Sequence, residues 1–311
     1  MLFLSMNILS NIPLIDCLSK FNARIKRKNP CKSVSQIELR GLYCIYNEKM
    51  SKGYITEIFD SFQGEGPYAG RRQIFIRFAG CPLHCFYCDT SYAKDARPKF
   101  CDFFGGSSLI HSEKISNPMS TKVAVDCIKE LRTSTPDLHS ICYTGGEPLS
   151  SAAFVKEIAA EAKSMQLKNF LETSGNSAKR FTSVADYFDF ASIDIKLRSH
   201  LAVEERDYDN LYGNELECIR IAVDRGIETI VKVVVVKNTP VGEIEQICKD
   251  LAGLDIKFVL QPVTALSSMQ NADADIVAPD VKELFELSAT AGRYLKHVMV
   301  IPQVPKVLGI R

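Results

Sequence analysis

Three cysteines within eight residues form the part of this chain best suited to chemistry. Cys81, Cys85 and Cys88 follow an apolar segment, residues 73–79, that has the pattern of a strand. A structural zinc site normally has four nitrogen or sulfur ligands, and His84 is the candidate fourth ligand nearby. An iron–sulfur cluster held by three cysteines instead leaves one iron open to a further ligand. The spacing therefore favours an iron–sulfur enzyme over a zinc site or a fortuitous group of buried thiols.

Chemically specific residues stand at the ends of nearly all the predicted strands. These strand ends are Arg77 ahead of the cysteines and residues 144–148, 172–175, 194–196, 261–262 and 302–303. In a parallel barrel the carboxyl ends of all strands lie on one face, and such folds carry their active sites there. The sequence therefore predicts one functional site on that face.

Each of these motifs also has an ordinary structural explanation. Residues 145–148 (Gly-Gly-Glu-Pro) resemble a plain strand–helix turn, and residues 63–67 resemble a glycine turn. Asp194 and Lys196 face the same side of their strand and would also suit an ion pair inside a barrel. In a functional site, the glycines would let a ligand approach the backbone and Glu147 would accept hydrogen bonds from an ammonium group. Their occurrence together with residues 81–88, the cysteine segment, favours the functional interpretation.

From Tyr54 onward, short β-branched runs alternate with amphipathic stretches, which predicts parallel strands joined by helices. The strand candidates are residues 73–79, 139–144, 168–173, 190–195, 228–236, 257–261 and 297–301. The helix candidates are residues 120–132, 150–165, 214–224, 241–251 and 280–292. Residues 231–236 look apolar on both faces, as a sheet covered by helices requires. Residues 96–119 show no clear period and are predicted to be a loop or small insertion. The expected fold is a partial (β/α)6-type TIM barrel of about six parallel strands.

Composition narrows the class of protein. The 311 residues carry a net charge of +1, which gives no support for electrostatic binding to nucleic acid. Eleven cysteines are an odd number and too few for a disulfide scaffold of this length. The eight outside the cysteine segment have no ligand spacing and suit buried thiols in a reducing compartment. We therefore expect a cytoplasmic protein.

The N-terminal region lacks the patterning of the rest. Residues 1–15 are apolar but broken by polar residues, and fit neither a spanning helix nor a signal peptide. We predict an N-terminal extension at residues 1–52, poorly ordered or the result of a mis-assigned start with Met50 as the true initiator. The catalytic domain is expected at residues 53–311.

Taken together, the motifs resemble the radical S-adenosylmethionine (radical SAM) superfamily and, within it, the 7-carboxy-7-deazaguanine synthase family. The cysteine spacing with the Gly-Gly-Glu-Pro turn is typical of the superfamily. The narrower resemblance rests on residues 62–66 (Phe-Gln-Gly-Glu-Gly), Arg77, residues 88–90 (Cys-Asp-Thr), 144–148, 172–175, 194–196, 302–303 and 306–309. It covers Tyr54 to Arg311. Many relatives carry His-Lys after the closing Pro-Gln, whereas this chain has Val304 and Pro305 there.

The resemblance implies a [4Fe–4S] cluster, S-adenosylmethionine and Mg²⁺ as cofactors. Members of the family reductively cleave S-adenosylmethionine, and the resulting 5′-deoxyadenosyl radical abstracts hydrogen from C6 of 6-carboxy-5,6,7,8-tetrahydropterin. The ring then contracts to 7-carboxy-7-deazaguanine with loss of ammonia, a step of queuosine and archaeosine biosynthesis. The implied partners are a second copy of the chain in a homodimer and an electron donor such as flavodoxin or ferredoxin.

The resemblance also implies residue roles. Cys81, Cys85 and Cys88 would hold the cluster, and Thr90 would bind Mg²⁺. The residues implied near S-adenosylmethionine are Tyr87, Asp89, Gly146, Glu147, Ser174, Lys196 and Gln261. The residues implied for the pterin are Phe62, Gln63, Gly64, Glu65, Arg77 and Thr144. Arg77 suits the substrate carboxylate because a guanidinium binds carboxylates bidentately.

Two other classes of function stay open on the sequence. One is another radical SAM enzyme, such as a glycyl-radical activase, which would need a groove for a protein substrate. The other is a zinc- or iron–sulfur-binding protein without catalysis, which would not cleave S-adenosylmethionine.

Overall fold

The computed structural model describes residues 51–105, 112–264 and 276–304. The chain divides into two units after Met50, and it is the unit beginning at Ser51 that is described. Of the predicted extension, residues 1–52, all but the last two residues therefore lie outside the described part. Within the described ranges, no helix has both the length and the apolar composition needed to cross a membrane.

The described residues form two β-sheets. In chain order the strands are β1 (Lys52–Gly53), β2 (Ile55–Phe62), β3 (Arg72–Phe78), β4 (Phe100–Phe103), β5 (Glu113–Ser116), β6 (Met119–Ser120), β7 (Ser140–Gly145), β8 (Asn169–Thr173), β9 (Phe190–Asp194), β10 (Glu228–Val235), β11 (Lys257–Pro262) and β12 (Val298–Val300). β1 pairs with β6, and the other strands form one sheet in the order β12-β11-β10-β9-β8-β7-β3-β2-β4-β5.

The core of the large sheet is parallel. β3 and β7 to β12 run in one direction as successive neighbours. Each corresponds to a predicted strand, so the predicted α/β class with a central parallel sheet is confirmed. β2 adds antiparallel to β3, β4 adds parallel to β2, and β5 adds antiparallel to β4. The prediction for residues 96–119 missed β4 and β5, because four residues are too few to show a reliable alternation.

Helices connect the parallel strands. They are α1 (Thr121–Ser134), α2 (Ala152–Ser164), α3 (Ala178–Val184), α4 (Tyr208–Asp224), α5 (Val241–Asp250) and α6 (Val281–Ala291). Polar side chains cap several starts: the Ser120 hydroxyl accepts from the Val123 N–H, and Asp280 and Glu283 form a reciprocal capping box. All five predicted helices are present. The sequence missed α3 because seven residues give less than two full helical periods.

The two faces of the sheet pack differently. On one face, apolar side chains of the strands pack against the helices in a continuous core. On the other, Phe59, Phe75, Phe170, Phe190 and Val259 belong to a second, smaller core. Phe59 lies on β2 and Val259 on β11, far apart in the strand order, so the sheet curls to bring them into one cluster. This curvature is that of the predicted partial barrel.

One strand departs from its predicted pattern. The expectation that residues 231–236 are apolar on both faces is wrong, because Lys232 lies in this run and its side chain lines a cavity on the concave side. Val231, Val233 and Val235 instead pack in the core on the helix side. The strand is therefore apolar on its helix side and carries a buried cation on the other.

Residues 63–71, between β2 and β3, form a crossing segment that passes over the concave face of the sheet. The Tyr68 hydroxyl donates to the Glu228 carboxylate at 2.5 Å, and the Tyr68 ring meets that of Phe190 edge-on. Because Glu228 begins β10, Tyr68 lies toward the amino ends of the strands. Gln63 and Glu65, earlier in the segment, lie at their carboxyl ends, where they bond to Glu172, Lys232 and Gln261. The crossing segment therefore delivers polar side chains to the face where the predicted site lies.

Candidate active site

One cavity of about 740 Å³ opens at the carboxyl ends of the parallel strands. It is lined by the ends of β3 and β7 to β11, by the crossing segment, by the cysteine segment after β3 and by Gln303 after β12. The structure therefore gathers the polar strand ends into a single space.

This cavity is lined by every site residue named from the sequence except Glu147. Those lining residues are Phe62, Gln63, Gly64, Glu65, Arg77, Cys81, Cys85, Tyr87, Cys88, Asp89, Thr90, Thr144, Gly146, Ser174, Lys196 and Gln261. Residues implied for the cluster, the cofactor and the substrate thus share one chamber.

The cysteine segment is held by contacts with the loop after β9. The His84 N–H donates to the Ala202 carbonyl at 2.8 Å, and Leu83 packs against Ala202 in a small apolar cluster. Burial raises the pKa of the Cys81 thiol to about 11 and raises that of Cys85. Both thiols therefore favour the protonated form until a metal centre is present to stabilise the thiolates.

The donor set fits an iron–sulfur cluster better than a single metal ion. Within the described ranges, no group of three or more His, Cys, Asp or Glu side chains is arranged to hold one ion. The half-buried Cys81, Cys85 and Cys88 all line the cavity, whereas His84 is exposed and does not. In a cluster each thiolate binds a different iron, so the three sulfurs need not converge on one point. The zinc alternative, which requires His84 as fourth ligand, is not supported.

Tyr87 anchors the cysteine segment from within. Its hydroxyl lies 3.1 Å from Nδ1 of the buried His200. The Leu197 N–H also donates to this nitrogen at 3.0 Å, so Nδ1 acts as an acceptor and Tyr87 donates. Burial lowers the pKa of His200 to about 3, which keeps the ring neutral. The Tyr87 ring still lines the cavity, 5.8 Å from Lys196 Nζ.

The Gly-Gly-Glu-Pro turn packs directly on the cysteine segment. The Gly146 N–H donates to the Phe78 carbonyl at 2.9 Å, and the Glu147 N–H donates to the Gly80 carbonyl at 2.8 Å. A Cβ on Gly146 would lie 2.3 Å from the Gly80 oxygen, so only glycine permits this approach. The glycine thus serves the joining of the two motifs, a reason that the sequence alone did not suggest.

Glu147 is buried behind this turn and organises the ends of two strands. One carboxylate oxygen accepts from the Thr173 hydroxyl at 2.7 Å and the Leu149 N–H at 2.9 Å. The other accepts from the Ser174 N–H at 2.8 Å and the Ser174 hydroxyl at 2.5 Å. With four donors around it and 1% exposure, Glu147 positions Ser174 at the cavity and does not line the cavity itself.

Glu147→Gln is expected to destabilise the fold by about 1–3 kcal/mol, because a buried donor is left unsatisfied. Each oxygen of Glu147 accepts one backbone N–H, so either orientation of the glutamine amide sets an NH₂ group against a backbone N–H. Thermal unfolding of the cluster-free protein measures the effect.

The matched control is Glu161→Gln on the exposed side of α2, which should leave the midpoint temperature of thermal unfolding equal to that of the wild type within error. Equal midpoints for the two variants would contradict this account of Glu147.

The crossing segment meets the strands through an amide–carboxylate network. Gln63 Nε2 donates to Glu172 at 2.9 Å and to Gln73 at 2.8 Å, while its Oε1 accepts from the Gly64 and Glu65 N–H groups. The Thr144 hydroxyl donates to the other oxygen of Glu172 at 2.7 Å. Burial and the neighbouring Glu65 raise the pKa of Glu172. Gln63 and Thr144 are thus fixed around the carboxyl group of Glu172, which the sequence placed at a polar strand end without giving it a role of its own.

Arg77 is held by the carboxylate of Glu57, which the sequence did not identify. Its Nε donates to Glu57 Oε1 at 2.7 Å, and the Tyr92 hydroxyl donates to the same oxygen at 2.9 Å. The guanidinium carbon lies 5.8 Å from the Phe59 ring centre and 6.0 Å from that of Tyr92. Although burial acts to lower the pKa of Arg77, Tyr92 and Glu57 raise it. Arg77 is therefore a fixed cation in the cavity wall.

Four charged side chains form a chain along the cavity wall. Lys232 pairs with Glu65 and lies 3.2 Å from Asp194, which in turn lies 2.9 Å from Lys196. Burial acts to raise the pKa of Glu65, but Lys232 and hydrogen bonds from Gln303 and Gln261 lower it to about 2. Glu65 is therefore anionic at neutral pH.

Asp89 and Thr90, directly after the cysteine segment, line the cavity and each have a polar neighbour. Thr90 Oγ1 lies 3.8 Å from the Cys88 sulfur. Gln303 Nε2 donates to Asp89 at 3.1 Å and to Glu65 at 2.7 Å. Gln303 thereby joins the residues after β12 to Asp89 and to the crossing segment.

The chain matches a known protein family over more than half its length. Residues 75–251 match the model of the Radical SAM superfamily. A 7-carboxy-7-deazaguanine synthase of Methanocaldococcus jannaschii is 38% identical over 82% of this chain and 99% of its own length. Another from Geobacter sulfurreducens is 32% identical over 82% of this chain and 96% of its own length.

Solved structures agree on the fold. The crystal structure of QueE from Escherichia coli has a TM-score of 0.51 at 18% identity, covering 82% of this chain and 96% of that one. A radical SAM methyltransferase from Sphaerobacter thermophilus has a TM-score of 0.54 at 14% identity, with coverages of 79% and 77%. The sequence relatives, together with the fold, show that the chain belongs to the 7-carboxy-7-deazaguanine synthase family of the radical SAM superfamily.

Proposed function

We propose that this chain is a radical SAM lyase that converts 6-carboxy-5,6,7,8-tetrahydropterin to 7-carboxy-7-deazaguanine and ammonia. The observation that carries the proposal is the shared cavity. Its wall contains three thiols suited to a cluster, together with glutamine amides, several carboxyl groups and the Arg77 guanidinium, which suit a small carboxylated heterocycle. A cavity of about 740 Å³ is large enough for a cofactor and a small substrate together.

The protein's part in this reaction is to bind, orient and exclude water. When bound, the cluster supplies the electron that cleaves S-adenosylmethionine and so generates the hydrogen-abstracting radical. Cys81, Cys85 and Cys88 would hold the cluster, and Ser174 and Lys196 would face S-adenosylmethionine. Arg77 would clamp the substrate carboxylate. Glu65 and Thr144 would accept hydrogen bonds from the pterin ring, and Gln63, whose amide is bonded within the protein, would line the substrate site beside them. Fixed groups of this kind restrict the substrate to one orientation toward the radical.

The remaining features are part of the same proposal. Thr90, at the cavity edge, would bind Mg²⁺, which keeps several waters and draws its other oxygens from the substrate. An electron donor such as flavodoxin or ferredoxin would reduce the cluster. We further propose a homodimer that works in the cytoplasm.

Anaerobic reconstitution with iron and sulfide, followed by reduction, tests the function. Incubation with S-adenosylmethionine and 6-carboxy-5,6,7,8-tetrahydropterin is expected to yield 5′-deoxyadenosine and 7-carboxy-7-deazaguanine, both measured by mass spectrometry. The control substrate is the tetrahydropterin without its 6-carboxylate, which should give no deazapurine. Formation of 5′-deoxyadenosine without the deazapurine would keep the chain among radical SAM enzymes and refute the substrate. No cleavage at all would refute the enzymatic function.

A further inference from the structure

A charged lysine lies within an apolar run of β10, between Ile230 and Val235. Lys232 is 7% exposed, and its neighbours in sequence, Val231 and Val233, are fully buried in the core on the helix side. Taking an ammonium group out of water is costly unless it is well paired. A valine or methionine would suit this strand better, so the presence of lysine calls for a role beyond stability.

The partners of Lys232 belong to two different parts of the site. Its ammonium pairs with Glu65 on the crossing segment and lies 3.2 Å from Asp194 at the end of β9. Asp194 has a second cation, Lys196, at 2.9 Å. Removal of Lys232 would therefore leave Asp194 with a partner and Glu65 without a cation in the contacts described here.

Three donors fix the Glu65 carboxylate in one orientation. Oε1 accepts from Gln261 Nε2 at 3.1 Å and from Gln303 Nε2 at 2.7 Å, whereas Oε2 meets Lys232. The amides come from β11 and from the residues after β12, and the lysine comes from β10, so three successive strands hold one loop carboxylate. Of these three donors only Lys232 carries a charge, and its charge is the largest single cause that lowers the Glu65 pKa.

We propose that Lys232 is a positioning residue of the substrate site, which holds the Glu65 carboxylate as an anion aimed at the bound substrate. The inference rests on the proposed function, because it takes Glu65 to be a substrate ligand. Lys232 acts through Glu65, so its importance depends on the negative charge of that residue. A lysine present only to fill the strand would matter equally whether position 65 is charged or neutral.

A double-mutant cycle separates these two roles. The variants are Lys232→Met, Glu65→Gln and the combination of both, with Lys232→Arg as the conservative replacement. The readouts are kcat/KM for 6-carboxy-5,6,7,8-tetrahydropterin and KM for S-adenosylmethionine. Lys257→Met on the neighbouring strand, a partly exposed lysine outside the cavity, is the control for the same substitution.

Lys232→Met is expected to lower kcat/KM for the tetrahydropterin about 100-fold, because it leaves a buried carboxylate uncompensated. Lys232→Arg should lose less than about 10-fold, since it keeps the charge. The double variant should have the same kcat/KM as Glu65→Gln alone, because position 65 then carries no charge for Lys232 to pair with. KM for S-adenosylmethionine should change by less than about 3-fold in every variant of the cycle. In the control Lys257→Met, both this KM and kcat/KM for the tetrahydropterin should change by less than about 3-fold.

Additive losses in the double variant would overturn the inference, as would an equal rise of both KM values in Lys232→Met. If Lys232→Met fails to fold, the decision falls to the double variant and to Lys232→Arg. A folded double variant with the activity of Glu65→Gln supports the inference, and a double variant that also fails to fold overturns it. A wild-type protein that forms no deazapurine refutes the proposed function and this inference with it, whereas turnover by the wild type with an additive cycle refutes only the inference.

Discussion

Alanine at Cys81, Cys85 or Cys88 is expected to abolish both cluster assembly and cleavage of S-adenosylmethionine. Each thiolate binds a different iron, so a protein with two of the three cannot hold the cluster with one iron open. We expect iron and sulfide content after reconstitution to fall close to zero, and 5′-deoxyadenosine formation to fall by at least about 1,000-fold. Metal analysis and the absorbance of the reconstituted protein measure the first effect, and chromatography of the products measures the second.

A buried cysteine outside the cavity provides the matched control. Cys248 lies in α5 and is fully buried in the core on the helix side. Cys248→Ala removes one sulfur from the core and should keep a full cluster and activity near that of the wild type. If an alanine variant of Cys85 retained a full cluster, the assignment of the cysteine segment would be wrong.

Arg77→Lys is expected to raise KM for the carboxylated tetrahydropterin about 100-fold and to leave KM for S-adenosylmethionine nearly unchanged. The guanidinium bonds to Glu57 through Nε, so its two terminal nitrogens form the edge suited to a second carboxylate. A lysine has one nitrogen and cannot keep Glu57 and clamp a substrate in the same planar geometry. Steady-state kinetics with each substrate varied in turn measure the two constants.

Arg72→Lys is the control on the same strand. Arg72 pairs with Asp60 at the other end of β3 and does not line the cavity, so its replacement should leave both constants near those of the wild type. The tetrahydropterin without its carboxylate should bind the wild type and Arg77→Lys about equally weakly. A similar rise in both KM values for Arg77→Lys would instead indicate a general distortion of the site.

Elements that repeat a simple pattern could be predicted from the sequence. The parallel strands are β-branched runs bounded by polar residues, and the long helices have a clear amphipathic period. Because the carboxyl ends of parallel strands share one face, the polar strand ends could be assigned to one cavity before the structure was known. The short elements β4, β5 and α3 were not predicted because each is too brief to show its period. The longer strand β2 was not predicted either, because its apolar residues Ile55, Ile58, Phe59 and Phe62 have helical spacing and do not alternate.

Contacts between distant parts of the chain could not be predicted in this way. Lys232 and Glu65 are 167 residues apart, and Glu65 and Gln303 are 238 apart. Lys232 did leave a signal, a charge within the apolar run of residues 230–236, whereas Glu57 lies in a strand with other polar residues and left none. The role of Glu147 changed for a similar reason. Its four donors come from the turn after β7 and from the end of β8 with the residue after it, and only their arrangement in space shows that its carboxylate is already satisfied.

The central claim is that a radical formed in this cavity acts on the tetrahydropterin. Its most direct test is a turnover assay with 6-carboxy-5,6,7,8-tetrahydropterin that carries deuterium at C6, using the reconstituted and reduced protein. We predict deuterium in the 5′-deoxyadenosine or the recovered S-adenosylmethionine, together with 7-carboxy-7-deazaguanine in the same reaction. Formation of 5′-deoxyadenosine with no deuterium in either molecule and with no deazapurine would contradict the account.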